Sequence, residues 1–116
     1  MGAGKYKLKV EQGTDLQKWF RKTVDGVPVN YTGYTARMQV RENYDSGDVL
    51  LELTTENGGL VFDPLDGKIT LVFTPDMTAG KDWRRAIYDI EFMDSSGKVS
   101  RFLQGSFCIS PEVTHD

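Results

Sequence analysis

Acidic side chains are the residues of this 116-residue chain whose types could most readily carry out chemistry. Two carboxylates about 5 Å apart can hydrolyse a glycosidic bond, and closely spaced acids can bind calcium. The candidates lie in the second half of the chain: Asp63, Asp66, Asp76, Asp82, Asp89, Glu91 and Asp94. Most of them occur in sequences typical of turns, where aspartate accepts hydrogen bonds from the nearby backbone. We therefore predict that they stabilise turns, and that the chain is not an enzyme and has no metal site.

The single cysteine, Cys108, and the single histidine, His115, are the other candidates for catalysis or metal binding. One cysteine cannot form an intrachain disulfide, and one cysteine with one histidine falls short of a zinc site. We predict that Cys108 is a buried, small apolar side chain. His115 lies in a predicted tail, so a nucleophilic triad is unsupported, and no cofactor is predicted.

Arginine and aromatic side chains suggest binding rather than catalysis, because both types are enriched at protein interfaces. The predicted interface residues are Arg37, Arg41, Tyr44, Trp83, Arg84, Arg85 and Arg101. For the arginines, a simple solvated face is an equal alternative. The aromatic residues Trp19, Phe20, Tyr31, Tyr34, Tyr44, Trp83 and Tyr88 are predicted to be core or interface anchors, and the alternative is a platform that stacks on sugars.

The elements that must position these residues are strands. In the segment 86–105, Ala86, Tyr88, Ile90 and Phe92 alternate with polar residues, which predicts a strand with one buried face. The sequence Asp94-Ser95-Ser96-Gly97 predicts a turn, and Val99, Arg101 and Leu103 restart the period of two. Gly105 indicates either a bulge or a close backbone approach.

The same pattern extends along the rest of the chain, with a hairpin signal at Asp25-Gly26 and an apolar segment at 49–54 that is typical of a central strand. Thr74 and Pro75 predict one short helical turn near 75–82. About seven to nine short strands with frequent turns predict an all-β, antiparallel β-sandwich. We expect a single domain over 1–116, with flexible arms at 1–4 and 112–116.

The bulk composition excludes several classes of function. A formal net charge of -3 and a pI of about 5.1 argue against a dedicated nucleic-acid-binding protein. The chain lacks an apolar run near the ~20 residues that a membrane helix needs, so no membrane contact is expected. The first ten residues, MGAGKYKLKV, are too polar for a signal peptide, which predicts folding in a cytoplasm.

Four stretches of sequence carry a family resemblance: GYTARMQVR at 33–41, LLELTTENGG at 50–59, IYDIEF at 87–92 and GSFCISPEVT at 105–114. Together they resemble small tail-associated proteins of tailed bacteriophages and prophages, and the layout is similar to the N-terminal β-sandwich domain of phage baseplate upper proteins. The resemblance extends from about residue 16 to residue 114. It implies an immunoglobulin-like fold and a structural place in the virion, and it implies no active-site residues.

The resemblance therefore predicts a virion structural protein, an adaptor in the tail, baseplate or fibre-attachment region. Its partners would be other virion proteins, with several copies associating in the particle, after synthesis in the host cytoplasm. One alternative is a carbohydrate-binding module for host surface glycans, which would gain support if Trp19, Tyr44 and Trp83 formed one exposed patch. Another alternative is a capsid decoration protein.

Overall fold

The computed structural model describes residues 4–111 of the chain. The predicted arms, 1–4 and 112–116, lie outside this range apart from Gly4. Gly4, the last residue of the first predicted arm, begins the first strand and pairs with Leu103. No helix in the described range is long and apolar enough to cross a membrane.

The described residues form strands joined by short turns. In chain order the strands are β1 Gly4–Lys5, β2 Leu8–Glu11, β3 Leu16–Arg21, β4 Thr23–Val24, β5 Val27–Pro28, β6 Thr35–Arg41, β7 Leu51–Thr54, β8 Leu60–Asp63, β9 Lys68–Phe73, β10 Arg85–Met93 and β11 Val99–Ser110. Eight of these have four residues or more, in agreement with the predicted seven to nine. A 3-10 turn spans Pro64–Asp66, and the predicted helical turn is the single-turn helix α1, Pro75–Thr78.

The strands form two main sheets that pack face to face. One sheet has the order β7-β6-β10-β11, and both β1 and β2 run along the far side of β11. The other sheet has the order β3-β9-β8, and β4 with β5 forms a separate hairpin. All pairs are antiparallel except β1 and β2, which run parallel to β11. This arrangement is the all-β sandwich that the sequence predicts, and the parallel pairing of β1 and β2 with β11 departs from the fully antiparallel sheets expected.

The core lies between the two sheets and follows directly from the period-two alternation. Met38, Val40 and Ile90 face inward from the larger sheet and are fully buried, and Ile69 and Leu71 face them from the smaller sheet. Each such side chain contributes roughly 1.5–3 kcal/mol by leaving water. The residues between them on the same strands face solvent, so the alternation also determines which side chains are available for binding.

The long hairpin of β10 and β11 confirms the prediction for 86–105, with one correction. A β-bulge shifts the register, so that Ile90 pairs with Leu103 but Glu91 pairs with Arg101. The extra residue is Phe102, which stacks on Phe92 with ring centroids 4.5 Å apart. Arg101 and Leu103 therefore face opposite sides of the sheet, whereas the simple period of two predicts one shared face.

Gly105 marks a close backbone approach rather than the bulge. A Cβ at this position would lie 2.9 Å from the carbonyl carbon of Tyr6 and would overlap the Tyr6 carbonyl oxygen. The same oxygen accepts a hydrogen bond from the Tyr88 hydroxyl at 2.6 Å. The N-terminal segment thus crosses over Gly105 between β1 and β2, which holds both strands on the larger sheet.

Two further predictions are wrong in detail. The segment 49–54 was expected to be a central strand, but β7 lies at the edge of the larger sheet, since its apolar residues Leu51 and Leu53 pair with β6 alone. Cys108 is half-buried rather than buried, because its neighbours Phe107 and Ile109 take the inward positions of β11.

Candidate functional site

The side of the larger sheet that faces away from the core carries a dense set of polar side chains, which we call the outer face. Because alternate residues of β6, β7, β10 and β11 point away from the core, charged residues far apart in sequence become neighbours. The outer face consists of Arg37, Gln39, Arg41, Glu52, Asp89, Glu91, Arg101 and Gln104.

Ion pairs and hydrogen bonds link these side chains across the strands. Arg37 lies 3.6 Å from Glu91, and Arg101 lies 3.5 Å from Asp89. Arg101 also donates a hydrogen bond to the Gln104 side-chain oxygen at 3.2 Å. These pairs are largely solvent-exposed, so each contributes little to stability, at most about 1 kcal/mol. Their main effect is to hold the guanidinium groups in defined positions.

Arg41 is the most firmly held of the three arginines. Its Nη1 donates to the Ser46 carbonyl oxygen at 2.8 Å, and its Nη2 donates to the Gln39 side-chain oxygen at 2.9 Å. Gln39 in turn donates to a carboxylate oxygen of Glu52 at 2.7 Å. Arg41 thereby fixes the start of the loop that follows β6, the loop that carries Tyr44.

A depression of about 260 Å³ lies within the outer face. Its walls include Arg37, Arg41 and Asp89, and Tyr44 stands at its rim with 85% of its surface exposed. An exposed tyrosine beside positioned arginines is typical of the composition of protein-binding surfaces. The geometry therefore provides a shallow, polar recess with an aromatic rim.

The charge on Asp89 reflects its central position in this recess. Partial burial raises the pKa of Asp89 above its ordinary value of 3.8, and the nearby Glu91 carboxylate raises it further. Arg101, Arg37 and Arg41 oppose this by favouring the ionised form. Asp89 therefore lies where burial and the Glu91 carboxylate oppose the influence of three arginines. The acid pair of β10, Asp89 and Glu91, is engaged in ion pairs with Arg101 and Arg37.

Four of the seven predicted interface residues meet on or beside the recess: Arg37, Arg41, Tyr44 and Arg101. The other three lie elsewhere. Trp83 is half-buried and packs on Phe107 with ring centroids 5.8 Å apart, and Arg84 donates to the Lys81 carbonyl at 3.1 Å. Arg85 is exposed at the start of β10, beyond the recess.

Sequence reasoning missed an apolar extension of the outer face. Met93 and Val99 pair across β10 and β11 and are 44% and 55% exposed. They line a second depression of about 260 Å³ that also includes Arg37 and Glu91. The alternation on β10 could have revealed this position, because Met93 lies an even number of residues from Asp89 and Glu91 and therefore faces the same side of the strand.

The aromatic residues on which the carbohydrate alternative depends do not share a surface. Trp19 lies on the outside of the smaller sheet and is 52% exposed, Tyr44 lies in the loop after β6, and Trp83 packs on the core. Tyr31, Tyr34 and Phe62 instead form an aromatic cluster packed against the core, in which the Tyr34 ring meets the other two edge-to-face. Three dispersed aromatic residues do not make one stacking platform.

The other candidate acids mostly stabilise turns or pair locally. Asp94 accepts hydrogen bonds from the Ser96 hydroxyl and from the backbone N–H groups of Ser96 and Lys98, and these interactions lower the pKa of Asp94. Asp66 forms an ion pair with Arg21. Within residues 4–111, no three His, Cys, Asp or Glu side chains cluster so as to hold a metal ion.

Comparison with known proteins adds no further assignment to this geometry. No protein-family model matches the sequence, and no curated protein is significantly similar to it.

Proposed function

We propose that this chain is a structural adaptor of a tailed-phage virion, and that its outer face contacts other virion proteins in the tail, baseplate or fibre-attachment region. The resemblance of segments 33–41, 50–59, 87–92 and 105–114 to small phage tail proteins supports the virion role. The observation that carries the contact role is the recess of the outer face, which Arg37, Arg41 and the exposed Tyr44 line, while Arg101 pairs with Asp89 of its wall.

The way these arginines are held favours binding. A long side chain that is already restrained loses less conformational freedom when a partner docks, so a larger share of the contact energy appears as affinity. Arg41 is restrained by two hydrogen bonds, and Arg37 and Arg101 are restrained by ion pairs. The three arginines project from paired strands of one sheet, and the strand register sets the spacing between them.

The charges of the outer face also restrict the partner. Three arginines are interspersed with three acids, Glu52, Asp89 and Glu91, so the surface has no strong net charge. Such a mosaic selects a partner by matching individual charges rather than by long-range attraction. A virion protein with a complementary mosaic, or several copies of this chain arranged by the symmetry of the particle, meets that requirement.

The test uses particles purified from the phage or prophage that encodes the chain. Mass spectrometry of separated tails and capsids is expected to detect the chain in the tail fraction. Absence from both fractions would overturn the proposal, and recovery with capsids alone would favour the decoration alternative.

Variants then test the surface itself. Arg37→Glu and Tyr44→Ala are expected to reduce incorporation of the chain into tails, because both side chains line the recess. Lys81→Glu reverses a charge in the segment between α1 and β10, away from the outer face, and is the matched control. Incorporation that is equal for all three variants would overturn the assignment of the outer face.

A further inference from the structure

The free edge of β3 offers unpaired backbone groups. Within residues 4–111, β3 pairs with β9 and with no other strand. The Lys22 N–H donates to the Gly67 carbonyl at 2.9 Å, and Lys22 continues the register in which β3 pairs with β9. The even-numbered residues of β3 therefore direct their backbone N–H and C=O groups toward β9. In an antiparallel pair the intervening residues direct their N–H and C=O groups the other way. The backbone groups of Gln17, Trp19 and Arg21 therefore point out of the sheet.

This edge differs from that of β7, where a side chain occupies the backbone groups. Asn57 donates from Nδ2 to the Glu52 carbonyl at 3.1 Å, and its Oδ1 accepts from the Thr54 N–H at 2.9 Å. The β7 edge is thus closed by a hydrogen-bonded turn. At β3 no side chain of residues 4–111 bonds the outward backbone groups in this way, and β1 and β2 pair with β11.

The side chains along β3 define what could pair there. On the inward side Lys18 lies over the Tyr6 ring, with Nζ 5.0 Å from the ring centroid, and Lys22 follows two positions after Phe20. On the outward side Trp19 is half exposed, and the Lys68 ammonium lies 5.0 Å from its ring centroid. The edge therefore combines lysines on one side with a large apolar ring on the other.

We propose that the free edge of β3 binds an extended segment of a partner protein by strand addition. The segment would carry acidic residues next to Lys18 and Lys22, and β-branched or other apolar residues next to Trp19. Main-chain hydrogen bonds provide affinity in this mode of binding, and alternate side chains provide specificity.

Charge decides between a partner segment and a second copy of this chain. If two copies paired antiparallel through β3, the lysines of both strands would be brought together on one side of the joined sheet, and like charges on adjacent strands are destabilising. An acidic segment beside β3 would instead be attracted to Lys18 and Lys22. The proposal depends on the edge geometry alone and is independent of the virion role proposed above.

Nuclear magnetic resonance of the whole 15N-labelled chain tests the binding site directly. The probe is a synthetic heptapeptide of alternating valine and glutamate, and its control is the same peptide with lysine in place of glutamate. We expect the acidic peptide to shift the amide signals of Gln17, Trp19 and Arg21 and to slow their hydrogen exchange. Shifts confined to other strands, or equal binding of the lysine peptide, would overturn the proposal.

Two variants separate backbone pairing from side-chain contact. Gln17→Pro removes an outward N–H without removing a bond to β9, and we expect it to weaken binding of the acidic peptide about tenfold or more. Gln17→Ala keeps the N–H and measures the side chain alone. An equal loss of affinity in both variants would contradict strand addition.

A charge exchange provides a test that does not depend on proline being tolerated. Lys18→Glu is expected to weaken binding of the acidic peptide about tenfold and to reverse the preference between the two peptides. An unchanged preference would overturn the role of Lys18. Sedimentation of the wild-type chain completes the test, because concentration-dependent dimers that Gln17→Pro abolishes would identify a second copy as the occupant instead.

Discussion

Strands β7 and β3 are both edge strands of the sandwich, yet their outward backbone groups have opposite surroundings. At β7, the Asn57 side chain bonds the Glu52 carbonyl and the Thr54 N–H. At β3, the corresponding groups of Gln17, Trp19 and Arg21 have no strand beside them within residues 4–111. An uncovered edge is a template for pairing with another chain, so the two edges differ in how readily they could add a strand.

A contact on a third strand helps to hold the N-terminal strands away from β3. Gly105 of β11 lets the backbone of Tyr6 pass directly over it, and the Tyr88 hydroxyl holds the Tyr6 carbonyl from below. Together with the ladders that pair β1 and β2 with β11, this contact places the N-terminal segment on the larger sheet. The comparison teaches that β3 lies uncovered because the N-terminal strands pair with the other sheet.

Gly105→Ala should have the largest effect on this arrangement. The added Cβ would overlap the backbone of Tyr6, which cannot move as a flexible side chain can, and we expect a loss of about 3 kcal/mol in the free energy of unfolding. Urea denaturation measures it. Gly47→Ala is the control, because a Cβ there meets no atom within 4 Å, and its effect should stay within about 0.5 kcal/mol.

Tyr88→Phe should weaken the same contact without introducing a clash. Burial, and secondarily Tyr6, raises the pKa of Tyr88, so its hydroxyl remains a donor at ordinary pH. Removing the hydroxyl leaves the Tyr6 carbonyl unpaired, which should cost about 1–2 kcal/mol in thermal or urea unfolding. Tyr44→Phe alters a hydroxyl on an exposed ring and should leave stability unchanged. Equal stability of the two variants would show that Tyr88 does not hold the crossing segment.

Asn57→Ala should make the β7 edge resemble the β3 edge. The substitution removes the side-chain hydrogen bonds to the backbone of Glu52, Thr54 and Gly59, and we expect a loss of about 1 kcal/mol together with faster hydrogen exchange of the Thr54 amide. Asn43→Ala is the matched control, since the Asn43 side chain accepts a bond from Asp45 within a loop. If the Thr54 amide exchanged at the wild-type rate, the closed-edge interpretation would fail.

The smallest expected effect is on the pH dependence of stability, through two acids of the β10–β11 hairpin: Asp89 on the outer face and Asp94 in the turn. The pKa of Asp89 is raised above 3.8 mainly by burial, so its contribution to stability is present at low pH and is lost as pH rises through the raised pKa. The pKa of Asp94 is lowered by its hydrogen bonds, first that from the Ser96 hydroxyl, so its contribution is present above 3.8 and is lost as pH falls.

Carboxyl resonances followed by NMR titration should therefore move at higher pH for Asp89 than for Asp94. Asp94→Asn should reduce stability at pH 7 more than at acid pH. Asp89→Asn should show the opposite trend. Identical titration midpoints for the two acids would contradict the environments described for the outer face and the turn.

Much of the fold was predictable because it depends on neighbouring residues in the sequence. The alternation of Ala86, Tyr88, Ile90 and Phe92 identifies one face of β10 without knowledge of its partners, and the Asp25-Gly26 turn has the positive φ angles that such a hairpin requires. The bulge at Phe102 was not predictable, because it appears only when β11 is aligned with β10.

The candidate site was predictable only in part for the same reason. Arginine and tyrosine types pointed to an interface, but the pattern did not show that Arg37, Arg41 and Arg101 meet while Trp83 and Arg84 lie apart. That separation depends on the pairing of β6, β10 and β11. The apolar extension at Met93 and Val99 depends on the same register.

The sequence by itself determined the period-two alternation, the turns and therefore the two-layer β fold, because these arise from local backbone preferences and from the burial of alternate residues. Tertiary structure alone decided which strands lie at the edges, where the charges of the outer face meet, and that β1 and β2 leave β3 uncovered. Those outcomes depend on contacts between residues far apart in the chain. One example is Gly105, which has no Cβ and so leaves room for the backbone of Tyr6 to cross the sheet.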